Sequence, residues 1–272
     1  MAVSNNSELA IVLAESAAGA GSELGPRAIL GSGLLKDLQA YFGRVHVCEI
    51  SGKPPSEYTE DHDHDGMKRP RTVSKATKST TSSIAIPSRA DVFSRWVRPA
   101  VICVDAHVSI NHPPRSESSG NIHGMPLAFA TGLAKYQEKG IFDWIEQGLL
   151  IDMKKLVHIG TRDVDDEEGT LIQQNGNKFF DMDDIKRHGI DSVVSMALEY
   201  VGRQTAIYLS CDINALDPEW TPSAGHLVPR GLSLQEGELV VRRLRDTGNP
   251  VAMDFVEVNP TINVEGVERT ID

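Results

Sequence analysis

Short apolar runs recur along the chain, each bounded by polar or turn residues. They are LAIVL (9–13), VHVCEI (45–50), AVICV (100–104), KLVHIG (155–160), AIYLSC (206–211) and PVAMDF (250–255). Their length and their content of Val and Ile suit buried strands. Between them lie stretches with apolar residues at helical spacing. GPRAILGSGLLKDLQAYF (25–42) is one, and IDSVVSMALEYVGR (190–203), with Asp191 as the expected N-cap, is another. SLQEGELVVRRLRDTG (233–248) opens with Ser233 and Glu236, an S-x-x-E capping box, and is expected to end near Gly248. Strands alternating with helices predict an α/β fold with a mostly parallel sheet. In such folds the chemistry collects at the carboxyl ends of the strands.

One region breaks this rhythm. Residues 51–90 are polar, rich in Ser, Thr and Lys, and carry three prolines before Pro87. This composition predicts a flexible segment. It includes His62, Asp63, His64 and Asp65, which resemble metal ligands in spacing but read better as an acidic loop tip. No internal repeat and no linker between two cores is evident, so residues 1–272 are expected to form a single domain.

The chain has 272 residues, 40% of them hydrophobic, enough for a sizeable core. Its formal net charge of −11 argues against nucleic acid or an anionic membrane surface as the main partner. A local basic stretch, MKRPRTVSKATK (67–78), reads as a solvated loop or helix start. Apolar runs are too short to span a membrane, and the first residues lack a secretory pattern. Cys48, Cys103 and Cys211 lie in or at the end of apolar runs and form no CxxC pair. Reduced, buried thiols and a cytoplasmic location are expected.

Polar residues at three strand ends are candidates for chemistry. The first group is Asp105-x-His107-x-Ser109 in VDAHVSIN (104–111). The second is Asp212 and Asn214 in SCDINALDP (210–218). The third is Asp254 and Glu257 in DFVEVNP (254–260). Alternate residues on a strand share a face, so Asp105, His107 and Ser109 are expected to converge, and Asp212 and Asn214 to share a side. A carboxylate buried without a partner is costly, and a dication offers one compensation. Mixed His and Asp donors suit manganese, zinc or iron, and carboxylate-rich sets lean toward manganese. From spacing alone, a second reading stays open: Asp105 and Asp212 cap loops, and His107 packs against them.

VDAHVSIN, SSGNIHG (118–124), IGTRDVD (159–165), SCDINALDPEWTPSAGH (210–226), RGLSLQEG (230–237) and DFVEVNP together resemble the arginase branch of the ureohydrolases. The resemblance runs over roughly residues 100–260, and GPRAILGSGLL (25–35) resembles the family's opening helix. It implies a three-layer α-β-α fold around a mostly parallel sheet, usually assembled as a homotrimer. It implies hydrolysis of a guanidinium group at two bridged manganese ions, in arginases giving ornithine and urea.

Matched residue by residue, the resemblance places Asp105, His107, Asp212 and Asn214 at metal-ligand positions. It also places serines at two more, Ser109 and, by a weak match, Ser82. Asn111, Ser119, Asn121 and Asp165 match amino-acid-binding residues, although the loop from Asn111 to Gly120 is one residue longer than usual. His123 matches the proton-shuttling histidine and Glu257 the guanidinium-binding glutamate. His226 stands where a threonine is usual. Two carboxylates neutralise one dication, and a second would leave uncompensated charge in a poorly hydrated pocket. The expectation is therefore at most one manganese ion per chain and an arginase-like protein with impaired or absent catalysis. Its role would be regulatory or in binding a partner or a small amino-acid or guanidino ligand. The alternatives are an active manganese-dependent arginase, or a metal-free structural or regulatory protein.

Overall fold

The computed structural model describes residues 8–14, 24–41, 44–50, 99–111, 124–134, 150–262, 265 and 270. Strands β1 (Glu8–Ala14) and β2 (Arg44–Ile50) pair in parallel. A five-stranded sheet is built from β3 (Ala100–Val104), β4 (Leu156–Thr161), β5 (Lys178–Asp181), β6 (Ile207–Asp212) and β7 (Pro250–Val256). Its order is β5-β4-β3-β6-β7, and every neighbouring pair is parallel. All five strands therefore end at the same edge, where the polar residues of the three motifs lie.

The helices are α1 (Gly25–Ile29), α2 (Leu35–Tyr41), α3 (Pro126–Thr131), α4 (Asp166–Asn175), α5 (Met182–His188), α6 (Ile190–Val201) and α7 (Leu234–Asp246). Alternation along the central strands explains how they cover the sheet. Ile102, Val104, Ile159 and Leu209 pack with Val193, Val194 and Ala197 of α6 and with Val240 and Leu244 of α7. On the opposite face, Val101, Cys103, Leu156 and Tyr208 pack with Leu171 and Ile172 of α4 and Leu127 of α3. The result is three layers, α-β-α, as the sequence predicts. Each fully buried Leu or Ile contributes about 1.5–3 kcal/mol relative to exposure.

Three local expectations need correction. The helix expected over 25–42 is interrupted between α1 and α2, because Gly33 takes φ 106, outside helical space. Asp191 is not the N-cap of α6. Gly189 holds that position, while Asp191 sits in the first turn and pairs with Arg243 of α7 at 2.6 Å. Residues 178–188, not assigned from the sequence, form β5 and α5; a four-residue strand is too short to show a period.

The α7 capping box is present. Ser233 Oγ accepts from the Glu236 amide at 3.3 Å, and Glu236 Oε2 accepts from the Ser233 amide at 2.8 Å. Cys103 and Cys211 are free and buried, and burial raises both thiol pKa values. The Cys48 side chain, the segment 51–90 and its His62–Asp65 cluster lie outside the described residues. Among those described, no helix is long and apolar enough to cross a membrane.

Candidate active site

β3 ends at Val104, and the Asp105 amide still bonds Ile159 O of β4 at 3.1 Å. The chain then turns. Asp105 Oδ1 accepts from the His107 amide at 3.0 Å and meets His107 Nδ1 at 3.2 Å. Strand alternation therefore does not bring Asp105 and His107 together, as the sequence had suggested; a side-chain-closed turn does. Ser109 takes φ 54, the left-handed region that non-glycine residues rarely enter. On the other side of His107, Nε2 lies 3.6 Å from Asp163 Oδ2.

Asp212 closes β6 in a similar way. Its Oδ1 accepts from the Asn214 amide at 2.7 Å and caps the 3-10 turn Ile213–Ala215. Asn214 is buried, and its Oδ1 has no hydrogen-bond partner. Buried amide oxygens are seldom left so. Asp105 and Asp212 thus do cap turns, but each uses one named oxygen for it, and capping does not exhaust their capacity as ligands.

At the end of β7 the two carboxylates differ. Asp254 is held from within the sheet: Tyr208 donates to it at 2.6 Å and Ser210 at 2.8 Å. Glu257 lies beyond the strand with φ 69, another strained non-glycine backbone. A Cβ at Gly225 would stand 3.1 Å from Glu257 Oε2, so a residue without a side chain is suited to that position.

These acids crowd one another. Burial, then Asp105, then Glu257 push the Asp212 carboxyl well above the usual range. Burial and then Asp105 raise Glu257, and burial also raises Asp254 despite its two hydroxyl donors. Burial would lower His107, yet its hydrogen bond to Asp105 and that residue's charge leave it raised. His107 and Arg162 act on these acids, yet Asp212 and Glu257 stay raised. Among the described residues, no three His, Cys, Asp or Glu side chains stand in a ligating arrangement, and His107 Nδ1 is turned onto Asp105. The donor set itself (two carboxylates, an imidazole and the unpartnered Asn214 oxygen) fits a single hard dication.

The residues expected to hold an amino acid are partly described. Asn111 Nδ2 donates to Asp165 Oδ2 at 3.4 Å, so these two meet. Ser119, Asn121 and His123 lie outside the described residues, as does Ser82. The His226 ring stands edge-on to His107.

Three further residues were missed by sequence reasoning. Glu168 receives the amides of Ile110 and Asp165, each at 3.2 Å, and so ties the loops carrying Asn111 and Asp165. Burial raises its pKa to about 7. The signal was the D-x-x-E spacing of Asp165 and Glu168, a second capping box. Asp163 and Arg162 gave no such signal.

A family model described as the arginase family matches residues 81–271. Arginase of Coccidioides immitis is 42% identical over 280 residues, covering 90% of this chain and 84% of that protein. The chain belongs to the arginase family.

Solved arginases share its fold. Arginase from Bacillus cereus superposes with a TM-score of 0.81 at 25% identity, covering 98% of this chain and 95% of that one. A cold-adapted arginase from the yeast Glaciozyma antarctica gives 0.71 at 29% identity, covering 98% and 93%. The three-layer fold and the arginase-like character expected from the sequence are thus established. The identity to relatives named arginase favours the active alternative over the expectation of lost catalysis.

Proposed function

We propose that this arginase-family chain hydrolyses the guanidinium group of L-arginine, giving L-ornithine and urea, with one manganese ion held by Asp105, His107, Asp212 and Asn214. The observation that carries the reading is the crowding of half-buried Asp212 and Glu257 beside Asp105 at the carboxyl edge of the sheet. Such an acidic cluster suits a dication beside a guanidinium. The identity to relatives named arginase over most of the chain supports the same reading.

A bound dication would lower the pKa of its water and supply hydroxide near neutral pH. The chain's own residues do the rest. Glu257 offers a carboxylate to the guanidinium. Asn111 and Asp165 hold the amino-acid end, with Ser119 and Asn121 assigned to the same task. His123 is assigned proton transfer to the leaving amine. Reduced thiols at Cys103 and Cys211 fit a cytoplasmic location, and the family resemblance supports a homotrimer.

Ser109 and Asn214 favour a second reading. With a hydroxyl and an amide at these positions, turnover would be slow or absent, and the chain would serve as a binder of an amino acid or guanidino compound. Manganese content after dialysis and urea release with added manganese separate the two. About one ion per chain, lost in Asp212→Ala, with arginine turnover abolished by the same change, supports the proposal. One ion without turnover selects the second reading. No ion overturns both metal-dependent readings.

A further inference from the structure

Arg162 follows β4. Asp105, Asp217, Asp163 and Asp212 all act on its charge, yet among the described residues none pairs with it at ion-pair distance. Its guanidinium instead donates to backbone oxygens. Nη2 reaches Asn214 O and Val228 O at 2.7 Å each, and Leu216 O at 3.2 Å. Nη1 reaches Gly160 O at 3.1 Å and Ala215 O at 3.2 Å. Nε reaches Val228 O and Pro229 O, both at 3.2 Å. Six carbonyls from three segments thus converge on one planar cation. They belong to the end of β4, the turn after β6 and the loop leading to α7.

We propose that Arg162 is a positioning residue that clamps the Asn214 turn to the 226–230 loop and so holds Asn214 and His226 toward the site. The two segments make little other contact by regular structure: a single bridge pairs Leu216 with Leu232. It consists of Asp217 N to Leu232 O at 2.8 Å and Leu232 N to Ala215 O at 2.9 Å. Both segments also leave carbonyls that no helix or strand satisfies, and buried carbonyls need donors. A rigid fork with five N–H groups can serve several at once, whereas an ammonium on a flexible stem cannot match that geometry.

The surroundings are shaped to admit the guanidinium. A Cβ on Gly231 would lie 2.6 Å from Arg162 Nη2, so any larger residue there displaces the clamp. The Asp217 carboxylate receives the amides of Arg230 at 2.7 Å and Gly231 at 3.1 Å, closing the same loop from its other side. Arg162's own amide, donating to Ala106 O at 2.9 Å, fixes the stem to the turn that carries His107. One residue therefore links the β3, β4 and β6 ends with the loop bearing His226.

The inference rests on the proposed cation site for its functional consequence, but its test does not. Hydrogen exchange is measured on wild type, Arg162→Lys and Arg162→Ala, with Arg187→Lys as a control for an exposed arginine. Exchange at the amides of Asp217 and Leu232 is expected to accelerate roughly tenfold or more in both Arg162 variants, with α6 unchanged. Manganese affinity is expected to fall roughly tenfold in the lysine variant, at an unfolding midpoint close to wild type. Unchanged exchange at both amides overturns the proposal. So does uniform acceleration through α6, which would make Arg162 a general stability residue. If wild type takes up no manganese, the proposed function falls and the exchange comparison alone decides the clamp.

Discussion

His107 and His226 meet edge to face, with ring centroids 6.1 Å apart and planes at 84°. His107 comes from the turn after β3 and His226 from the loop before α7, so the contact crosses the site. A large ring there takes volume from a ligand approaching Glu257. Replacing His226 with threonine is expected to raise kcat/KM for L-arginine about tenfold, or roughly 1.4 kcal/mol in the transition state. Steady-state urea release with added manganese measures it. A lower value would show that the imidazole serves the reaction.

Asn214 and Ser109 bear on how many ions the proposed site would hold. Asn214→Asp puts a charged oxygen where an unpartnered amide oxygen now lies. Manganese is expected to bind at least about tenfold tighter, since a carboxylate outcompetes an amide as donor to a dication. Combining it with Ser109→Asp is expected to admit a second ion. Elemental analysis of the single and double variants gives both the order and the count.

Glu168 sets a pH dependence of stability. Burial raises its pKa from the ordinary 4.5 to about 7 in the folded chain. The folded state therefore holds the proton more tightly than the unfolded one. The stability this gives is complete below pH 4.5 and lost as pH rises through 7. In Glu168→Gln no such loss occurs. The stability of wild type relative to that variant is expected to fall by up to roughly 3 kcal/mol across this window. Urea unfolding at several pH values, without added metal, reads the difference.

Ser233 isolates a local contribution far from the chemistry. Its Oγ accepts the Glu236 amide at the start of α7. Ser233→Ala is expected to cost about 1 kcal/mol of stability. The denaturant midpoint should drop at unchanged slope, while manganese uptake stays at the wild-type level.

Much of the fold was legible because its signals are local. AVICV is a continuous Val- and Ile-containing run, and all five residues are buried in a parallel strand. Ser233 and Glu236 mark the start of α7 by themselves, since a capping box closes within four residues. Asp191 misled for the same reason: an acidic residue suits both the cap and the first turn, and Gly189 took the cap by turning left-handed. KFFD was too short to declare itself as β5.

The candidate site divides along a similar line. The sequence by itself determined the candidate residues and their motifs: Asp105, His107, Asp212, Asn214 and Glu257 at strand ends of an arginase-family chain. Periodicity and motif order are properties of neighbouring residues, and they survive without coordinates. Only the tertiary structure decided that His107 leans on Asp105, that Asn214 Oδ1 is left without a partner, and that Arg162 gathers six carbonyls from three segments. These are contacts between residues far apart in the chain or orientations set by packing. A long-range donor such as Arg162 reads in sequence as any charged residue, because what it bonds is backbone, and backbone carries no letter of its own.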